Sequence, residues 1–574
     1  MKNNFFKLFI FKFKKSLFWR YNKNNWEIQI LNKNFYLLWI ATLIALVLTI
    51  TYFSFSQHNI NAYTNKKFLF YINEIFKFNQ KSTLFNNNNL WIYSFKTLLN
   101  TVKITISATF LGFVFAIISS FFGAKKINNN LLCKLWRFII IVLRAFPVLV
   151  FATIFKKSLD PIESLFWIYV WFTWLWIHKY LIDMINSFDL SNYYLSIKLG
   201  ENKYKAFYKE VLVKIKTRIF SLYFYSLESN FRWISLLGTL GIYGLGLLIY
   251  KPINIEINQN ISQLTIPLLI FMFFLIINEI ISFLINYFLF EKQYKFSKKT
   301  KIYSLKYNFR FLFTIVFFII TFIIFILALI DLEKNYSKMF LWKSFFARIF
   351  QINFEKIFSF NKISPLVLLF KVIWQSFIIT FYVAIFGTFL GIVQSQKINN
   401  KFQSVVLKIL AVFVRTMPLI VLFYIFDIFW INPFTTFFLL MIFLNSFSFS
   451  KIVSTMVDKI EIDFFNNLKK QGYSQLKIIF IFIIPFIKKE LFIQIIFMFE
   501  NVTRSVITYG IILNGANLGS QIKIFTEKEQ FANAANYLFP TMLLFIFLEL
   551  FLSRIKTKNK KNYLKMVKQL IIFK

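Results

Sequence analysis

Glu228 with Arg232 and Glu500 with Arg504 are each four residues apart with the acid first, the order that favours an ion pair on one helix face. Both pairs lie inside or at the end of apolar stretches. A charge at the centre of a bilayer costs at least about 2.5–3.5 kcal/mol, so these side chains must face protein or a watery cavity. Three chemistries fit such residues: a structural lock between half-spans, arginines that ease an anion along a pathway, or glutamates that carry protons. Arg144 and Arg415 stand three residues before Pro147 and Pro418. The prolines remove a helical hydrogen bond and predict a kink, and the simplest expectation for the two arginines is that they snorkel to an interface. Catalytic and metal-binding residues are not expected. One cysteine, Cys133, and two distant histidines, His58 and His178, exclude a disulfide framework, thiolate zinc sites and imidazole clusters. No G-x-x-x-x-G-K-[ST] occurs, so the chain does not cradle ATP phosphates itself.

The candidates recur. Thr109-Phe110-Leu111-Gly112 returns as Thr388-Phe389-Leu390-Gly391, and Arg144-Ala145-Phe146-Pro147 as Arg415-Thr416-Met417-Pro418. Gly200 to Glu228 and Gly472 to Glu500 both span 28 positions, and Glu228 to Gly238 and Glu500 to Gly510 both span 10. Copies separated by six membrane crossings keep the same orientation, which predicts parallel repeats with a pathway at their interface.

The elements that must hold these residues are membrane helices. The chain is 58% hydrophobic and 21% aromatic with a mean hydropathy of +0.61, too apolar for the surfaces of soluble domains. The fold class expected is an all-α polytopic membrane protein with about 12 transmembrane helices in two parallel six-helix repeats. A basic cytoplasmic arm, 1–34, lacks a cleavage site; spans follow at 35–55, 100–122, 135–155, 162–178, 219–249 and 264–290 in a first half, 35–290. A basic linker, 291–310, leads to a second half, 311–552, with spans at 311–330, 366–393, 405–426, 433–450, 478–498 and 536–552, and to a basic tail, 553–574. Charge placement puts both termini in the cytoplasm. The formal net charge of +43 rises together with Phe, Asn and Ile, as A/T-rich codons produce, so it points to a bacterial source with such a genome and not to a nucleic-acid partner.

Between the fourth and fifth spans of each half lies a segment of mixed polarity, Ser191–Arg218 and Lys451–Lys477, expected as a short helix, a glycine and a second helix. Gly200 and Gly472 can take positive φ at the turn. Val211 and Leu212 follow Gly200 by 11 and 12 positions; Ile483, Ile484 and Pro485 follow Gly472 by 11, 12 and 13. This pattern resembles the cytoplasmic signature loop of ABC importer permeases. Where that family carries an acid six before the glycine, Tyr194 and Asn466 stand here, and Val213 replaces the first proline. Glu228-Ser229-Asn230-Phe231-Arg232 followed by Gly238, Gly241, Gly244 and Gly246 is similar to the run that closes phosphonate-type permeases. The second copy keeps Glu500, Arg504, Gly510 and Gly515 but reads Asn501-Val502-Thr503 and Asn514, a looser match from which its ion pair is expected to tolerate change better.

The resemblance implies a type I importer permease in a cell membrane, with two halves fused in one chain. It implies that the loops around Gly200 and Gly472 dock two ATPase subunits that bind the ATP, that the chain holds no cofactor, and that an extracellular solute-binding protein delivers a small anionic solute such as a phosphonate or phosphate ester. The glycines after each arginine are expected to let helices pack closely or break. The alternative reading is an ion-coupled secondary transporter that uses Glu228 and Glu500.

Overall fold

The computed structural model describes residues 19–21, 27–29, 42, 44, 46–50, 64–80, 89–128, 130–253, 262–285, 300–332, 339–430, 432–460, 462–510 and 517–572. It contains two compact units, Met1–Asn59 and Ile60–Lys574. In the first, β1 (Trp19–Tyr21) pairs antiparallel with β2 (Glu27–Gln29). The described residues of the second are helical apart from turns and connections.

That unit opens with α1 (Thr64–Ile75) and continues in a long run of helices. Asn89 accepts the Trp91 N–H and starts α2 (Leu90–Gly123), as an N-cap asparagine does. α3 (Leu131–Ala145) ends before Pro147, and α4 (Val148–Ser158) leaves it bent by 84°. The proline has no N–H, and it forces Phe146 into extended backbone, so the helix breaks outright where a kink was expected. Pro161 at the first helical position opens α5 (Pro161–Ser187). Next come α6 (Ser191–Lys198), α7 (Lys203–Phe207), a π-helical turn at Tyr208–Leu212, and α8 (Val213–Thr239). A turn leads to α9 (Leu245–Tyr250), and α10 (Thr265–Ile285) closes the run.

α11 (Thr300–Ile330) and the short α12 (Phe340–Arg348) and α13 (Phe354–Phe358) lead to a second run in the same order. It comprises α14 (Pro365–Val393), α15 (Lys401–Thr416), α16 (Leu419–Phe426), α17 (Pro433–Asp458) and α18 (Ile462–Lys470). A turn at Gln475–Lys477 and a π-helical turn at Ile478–Ile483 enter α19 (Ile484–Tyr509), followed by α20 (Leu518–Glu527) and α21 (Phe531–Ile572). Pro418 bends α15 against α16 by 79°. Residues 300–310 of the expected linker are helical at the start of α11, 553–572 of the expected tail are helical at the end of α21, and 291–299 lie outside the described residues.

Among the described residues seven helices are long and apolar enough to cross a membrane, or nine if each bent pair is one span. The twelve expected from the sequence differ by three segments. Residues 35–55 lie largely outside the described residues, while α5 and α8 are long enough but carry Glu163, Lys179, Asp183, Lys214, Lys216, Arg218, Glu228 and Arg232.

The two runs do not fold as separate compact units. α11 packs on α2 of the first run through Phe110 with Phe325, ring centroids 5.6 Å apart, and through the Ser107 hydroxyl on the Ile324 carbonyl at 3.1 Å. α12 reaches α4, where the Trp342 indole donates to Ser158 at 3.0 Å. Inside each run the first long helix lies against the third: Gly112 of α2 meets Val170 and Thr173 of α5, and Gly391 of α14 meets Ser450 and Val453 of α17.

The sequence predicts one span over 219–249, and the structure corrects it. The chain turns at Leu240–Gly244, with Gly241 at φ +72° and Gly244 at φ +134°, and α9 folds back on α8. Contact is backbone to backbone: a Cβ on Gly246 would lie 1.9 Å from the Ile234 carbonyl oxygen. Thr101 of α2 accepts the Leu245 N–H at 3.2 Å and so caps α9. The same fold-back recurs in α20, where a Cβ on Gly519 would lie 2.1 Å from the Ile507 carbonyl oxygen.

Because those neighbours are backbone, they cannot rotate away, and Gly246→Ala should cost more than the about 1–3 kcal/mol of ordinary overpacking. Gly200→Ala meets nothing within 4 Å and carries only the strain of φ +89°. Size-exclusion profiles of the solubilised variants should show Gly246→Ala depleted of folded protein and Gly200→Ala near wild-type level; equal yields would contradict the fold-back.

Candidate functional site

The two segments singled out by their glycines form matching corners. α6 and α18 each end at a glycine of positive φ, Gly200 at +89° and Gly472 at +80°, with open space around both. The Ser191 N–H and hydroxyl donate to Asp189 at the start of α6, and these bonds hold its carboxyl below the usual range. The second helix expected after each glycine is continuous with the long helix that follows it. It passes through the π-helical turn straight into α8 or α19, burying Val211 and Ile483, leaving Leu212 and Ile484 half-buried and Pro485 exposed. The outer surface of the first corner presents Leu195, Leu199, Tyr204 and Tyr208, all more than half exposed, among exposed Lys198, Lys203, Lys205 and Lys209.

Deeper in the helices the charged residues of both runs meet. Arg232 pairs with Glu228 at 2.7 Å and Arg504 with Glu500 at 3.0 Å. Each guanidinium also reaches across to the other run. Arg504 Nη1 donates to the Arg144 carbonyl at 2.8 Å, and Arg232 Nη1 donates to the Arg415 carbonyl at 3.2 Å. Those carbonyls belong to the last turns of α3 and α15, where helix geometry and the following proline leave acceptors without intrahelical partners. A cation at a helix C-terminus also complements its dipole. Each arginine therefore caps the broken helix of the opposite run.

The side chains of Arg144 and Arg415 do not snorkel to an interface, contrary to the expectation. They are 4% and 7% exposed, and they pair with Glu549 of α21 and Glu279 of α10. Each acid lies in the last spanning helix of the run opposite its arginine, so buried carboxylates meet the guanidinium and remove the drive to reach water. Lys179 joins Glu500 at 3.4 Å, and Lys451 joins Glu279 at 3.5 Å. Glu279 and Glu549 were not among the candidates. Each is an acid in a long apolar stretch, a signal present in the sequence, and the offset of 270 between them matches the repeat.

A cavity of about 300 Å³ adjoins this cluster. Phe172, Thr173, Trp176 and Tyr180 of α5 and Tyr225, Ser229, Asn230 and Trp233 of α8 face Asn501, Arg504, Ser505 and Thr508 of α19 and Phe545 of α21, with Pro147 at the elbow. Each nitrogen of the Arg504 guanidinium makes one hydrogen bond, Nε and Nη2 to Glu500 and Nη1 to the Arg144 carbonyl. Its guanidinium faces the Phe545 ring, 4.1 Å from the centroid. The remaining polar lining is hydroxyl, amide and indole. Asn230 is held in place by donating to Thr109 and Thr173, both at 2.8 Å. The cavity admits a small solute between aromatic faces with neutral hydrogen-bonding groups, beside charged groups in which Arg144, Lys179, Arg232, Arg415, Lys451 and Arg504 stand against Glu228, Glu279, Glu500, Glu549 and Asp183, the last acting on Arg144.

The glycines after the arginines serve the fold-backs. Gly238 meets Gly246, Gly241 and Gly244 make the turn, and Gly510 ends α19 against Asn517. Gly515 and Asn514 lie outside the described residues, and the counterpart of Gly246 is Gly519, which the sequence reading missed.

Burial reverses the expected order of tolerance. Glu500 is 0% exposed with two cationic partners, whereas Arg232 is 29% exposed and keeps Glu279 when Glu228 is lost. Glu500→Gln should cost on the order of 3–5 kcal/mol, the usual loss when a buried pair is broken, and Glu228→Gln clearly less. Thermal unfolding of the solubilised protein measures the difference; a larger loss from Glu228→Gln would contradict this ranking.

No family model and no solved structure matches the chain. It is 30% identical over 537 residues, 92% of this chain and 96% of the relative, to the ABC transport system permease protein p69 of Mycoplasma genitalium. It is 28% identical over 471 residues, 81% of this chain and 85% of the relative, to the protein of the same name from Mycoplasma pneumoniae. Similarity at this level along nearly the whole length, in a chain of apolar helices that meet around a charged centre, makes this a multi-pass membrane protein of the ABC transport system permease family.

Proposed function

We propose that the chain is the complete membrane-spanning pathway of an ABC importer, two permease halves fused in one polypeptide, and that it moves a small anionic organic solute inward. The observation that carries this reading is the cavity walled by α5 and α8 of one run and by α19 and α21 of the other. A pathway between two parallel repeats belongs at such a seam. In this reading spans at 35–55 and at α5 and α8 complete twelve crossings, both termini are cytoplasmic, and the corners at Gly200 and Gly472 share that side.

Two copies of an ATPase subunit close on those corners. The exposed apolar surface of α6, with Leu195 and Leu199, suits insertion into a protein cleft better than contact with water. An extracellular binding protein presents the solute on the opposite face. The anionic character of the solute, a phosphonate or phosphate ester, rests on the signature residues and on the cationic excess of the central cluster, which lowers the barrier to a negative charge without a bare arginine in the cavity. Glu228 and Glu500, both ion-paired, are poorly placed to shuttle protons, which disfavours the ion-coupled reading.

The energy source tests the proposal. In liposomes that hold the chain, its ATPase and its binding protein, uptake should require ATP on the ATPase side and survive collapse of the proton gradient. Uptake by the chain alone, driven by an ion gradient, would sink the importer reading. Gly472→Val strains a left-handed corner by about 1–2 kcal/mol and should reduce co-purification of the ATPase while membrane insertion stays normal.

A further inference from the structure

We infer that the reciprocal charge cluster is the gate that closes the cavity on the side of the Gly200 and Gly472 corners, and that Glu279 and Glu549 are its positioning residues. The inference rests on the proposed pathway between the two runs.

The order of residues along the helices places the cluster. α5 runs toward the Gly200 corner, and on it Lys179 stands between cavity residues Trp176 and Tyr180, at the corner-side end of the lining. α19 runs away from the Gly472 corner, and on it Glu500 precedes cavity residues Asn501–Thr508. On α21 Phe545 lines the cavity and Glu549 lies one turn further along. These helices enter the site from different parts of the chain, and Lys179, Glu500 and Glu549 each stand at the corner-side end of the lining, while Arg504 lines the cavity itself and Glu228 and Arg232 lie level with the α8 lining residues Tyr225–Trp233. Arg144, Lys179, Glu500 and Arg504 are 0–12% exposed in their side chains, so little water passes between them, whereas Arg232 and Lys451 of the matching set are 29% and 55% exposed.

The bonds that close this end join the runs to each other. Arg504 and Arg232 hold the elbows of the opposite run through the Arg144 and Arg415 carbonyls. Glu549 and Glu279 fix the arginine side chains at those elbows. If the runs separate on this side, both cross-run carbonyl bonds and both arginine–glutamate pairs break together, and the elbows at Pro147 and Pro418 are free to swing. The groups released are charged, and water entering the opening solvates them. The cluster therefore has two stable arrangements, dry and paired or wet and apart, as a gate requires. A lock within one run would lack this property, because its pairs would persist in both arrangements.

Sided chemical labelling reads the gate. Cys133 is the only cysteine, so Cys133→Ser gives a clean background in which Ser505→Cys places a thiol in the cavity. In liposomes holding the full chain, a membrane-impermeant thiol reagent applied on the side of the corners should label this thiol slowly while the cluster is intact. Adding Glu549→Gln or Glu279→Gln should speed labelling from that side about tenfold or more, as when an open state populated at roughly 10% or less becomes the major one. Glu549→Asp and Glu279→Asp, which keep the charge and shorten its reach, should give a smaller rise and serve if a Gln variant fails to accumulate. Wild-type labelling rates in any of these variants that accumulate normally, or an equal rise from both sides, would overturn the proposal. Because the readout needs neither ATPase nor solute, it fails or succeeds independently of ATP-driven uptake.

Discussion

An arginine taken out of water must have its N–H groups met by acceptors, and this requirement organises the centre of the molecule. Four buried or half-buried guanidiniums lie where apolar helices converge, and each takes at least one acceptor from the opposite run. Arg504 satisfies Nε and Nη2 on Glu500 but finds its third partner only in the carbonyl of Arg144, across the seam. Arg144 in turn pairs with Glu549 of the second run. The same exchange in the opposite sense joins Arg232, Arg415 and Glu279. The prolines make the exchange possible, because the helix ends they create expose the carbonyls that the arginines take.

The pieces around the cluster follow from how close backbones can come. α9 and α20 fold back on α8 and α19 only because glycines stand at both faces of the contact, so that carbonyl oxygens occupy the space of a missing Cβ. α9 is aimed by a ladder in α2, where the hydroxyls of Thr101, Thr105 and Thr109 each donate to the carbonyl four residues earlier, at 2.6–2.7 Å. Thr101 then accepts the first N–H of α9, and Thr109 accepts from Asn230 at the cavity wall. A stripe that satisfies its own hydroxyl protons can sit in a membrane helix and still offer oxygen atoms to neighbours.

The two runs share this plan without being equivalent. The cavity is lined by Arg504 and not by Arg232, and Glu500 is enclosed by Lys179 and Arg504 while Glu228 pairs with Arg232. Lys451, which stands where Lys179 does in the repeat, contacts Glu279 instead of Glu228. The shared order of elements thus holds one asymmetric site, because matching positions of the two runs carry different side chains.

Much of this was legible in one dimension. Hydropathy alone assigns the long apolar helices, since only helices and closed barrels satisfy their backbone in lipid and barrel strands are short segments of alternating hydrophobicity. Repeat spacing located the corners at Gly200 and Gly472, the breaks at Pro147 and Pro418 and the i,i+4 pairs, because each depends on neighbours within a turn or on the absence of an N–H or a Cβ. Local pattern could not show that the stretch 219–249 doubles back, since a glycine-rich end of a span reads alike whether it continues or returns. Nor could it show that Arg144 and Arg415 stay buried: snorkelling and burial differ only in whether a carboxylate waits inside, and Glu549 and Glu279 lie 405 and 136 positions away from them in the chain. Sequence determined which residues carry charge into the membrane and how the motif repeats. Tertiary structure decided their partners, because the desolvation of a guanidinium is relieved by whichever acceptor packing brings within about 3 Å, however distant it is along the chain.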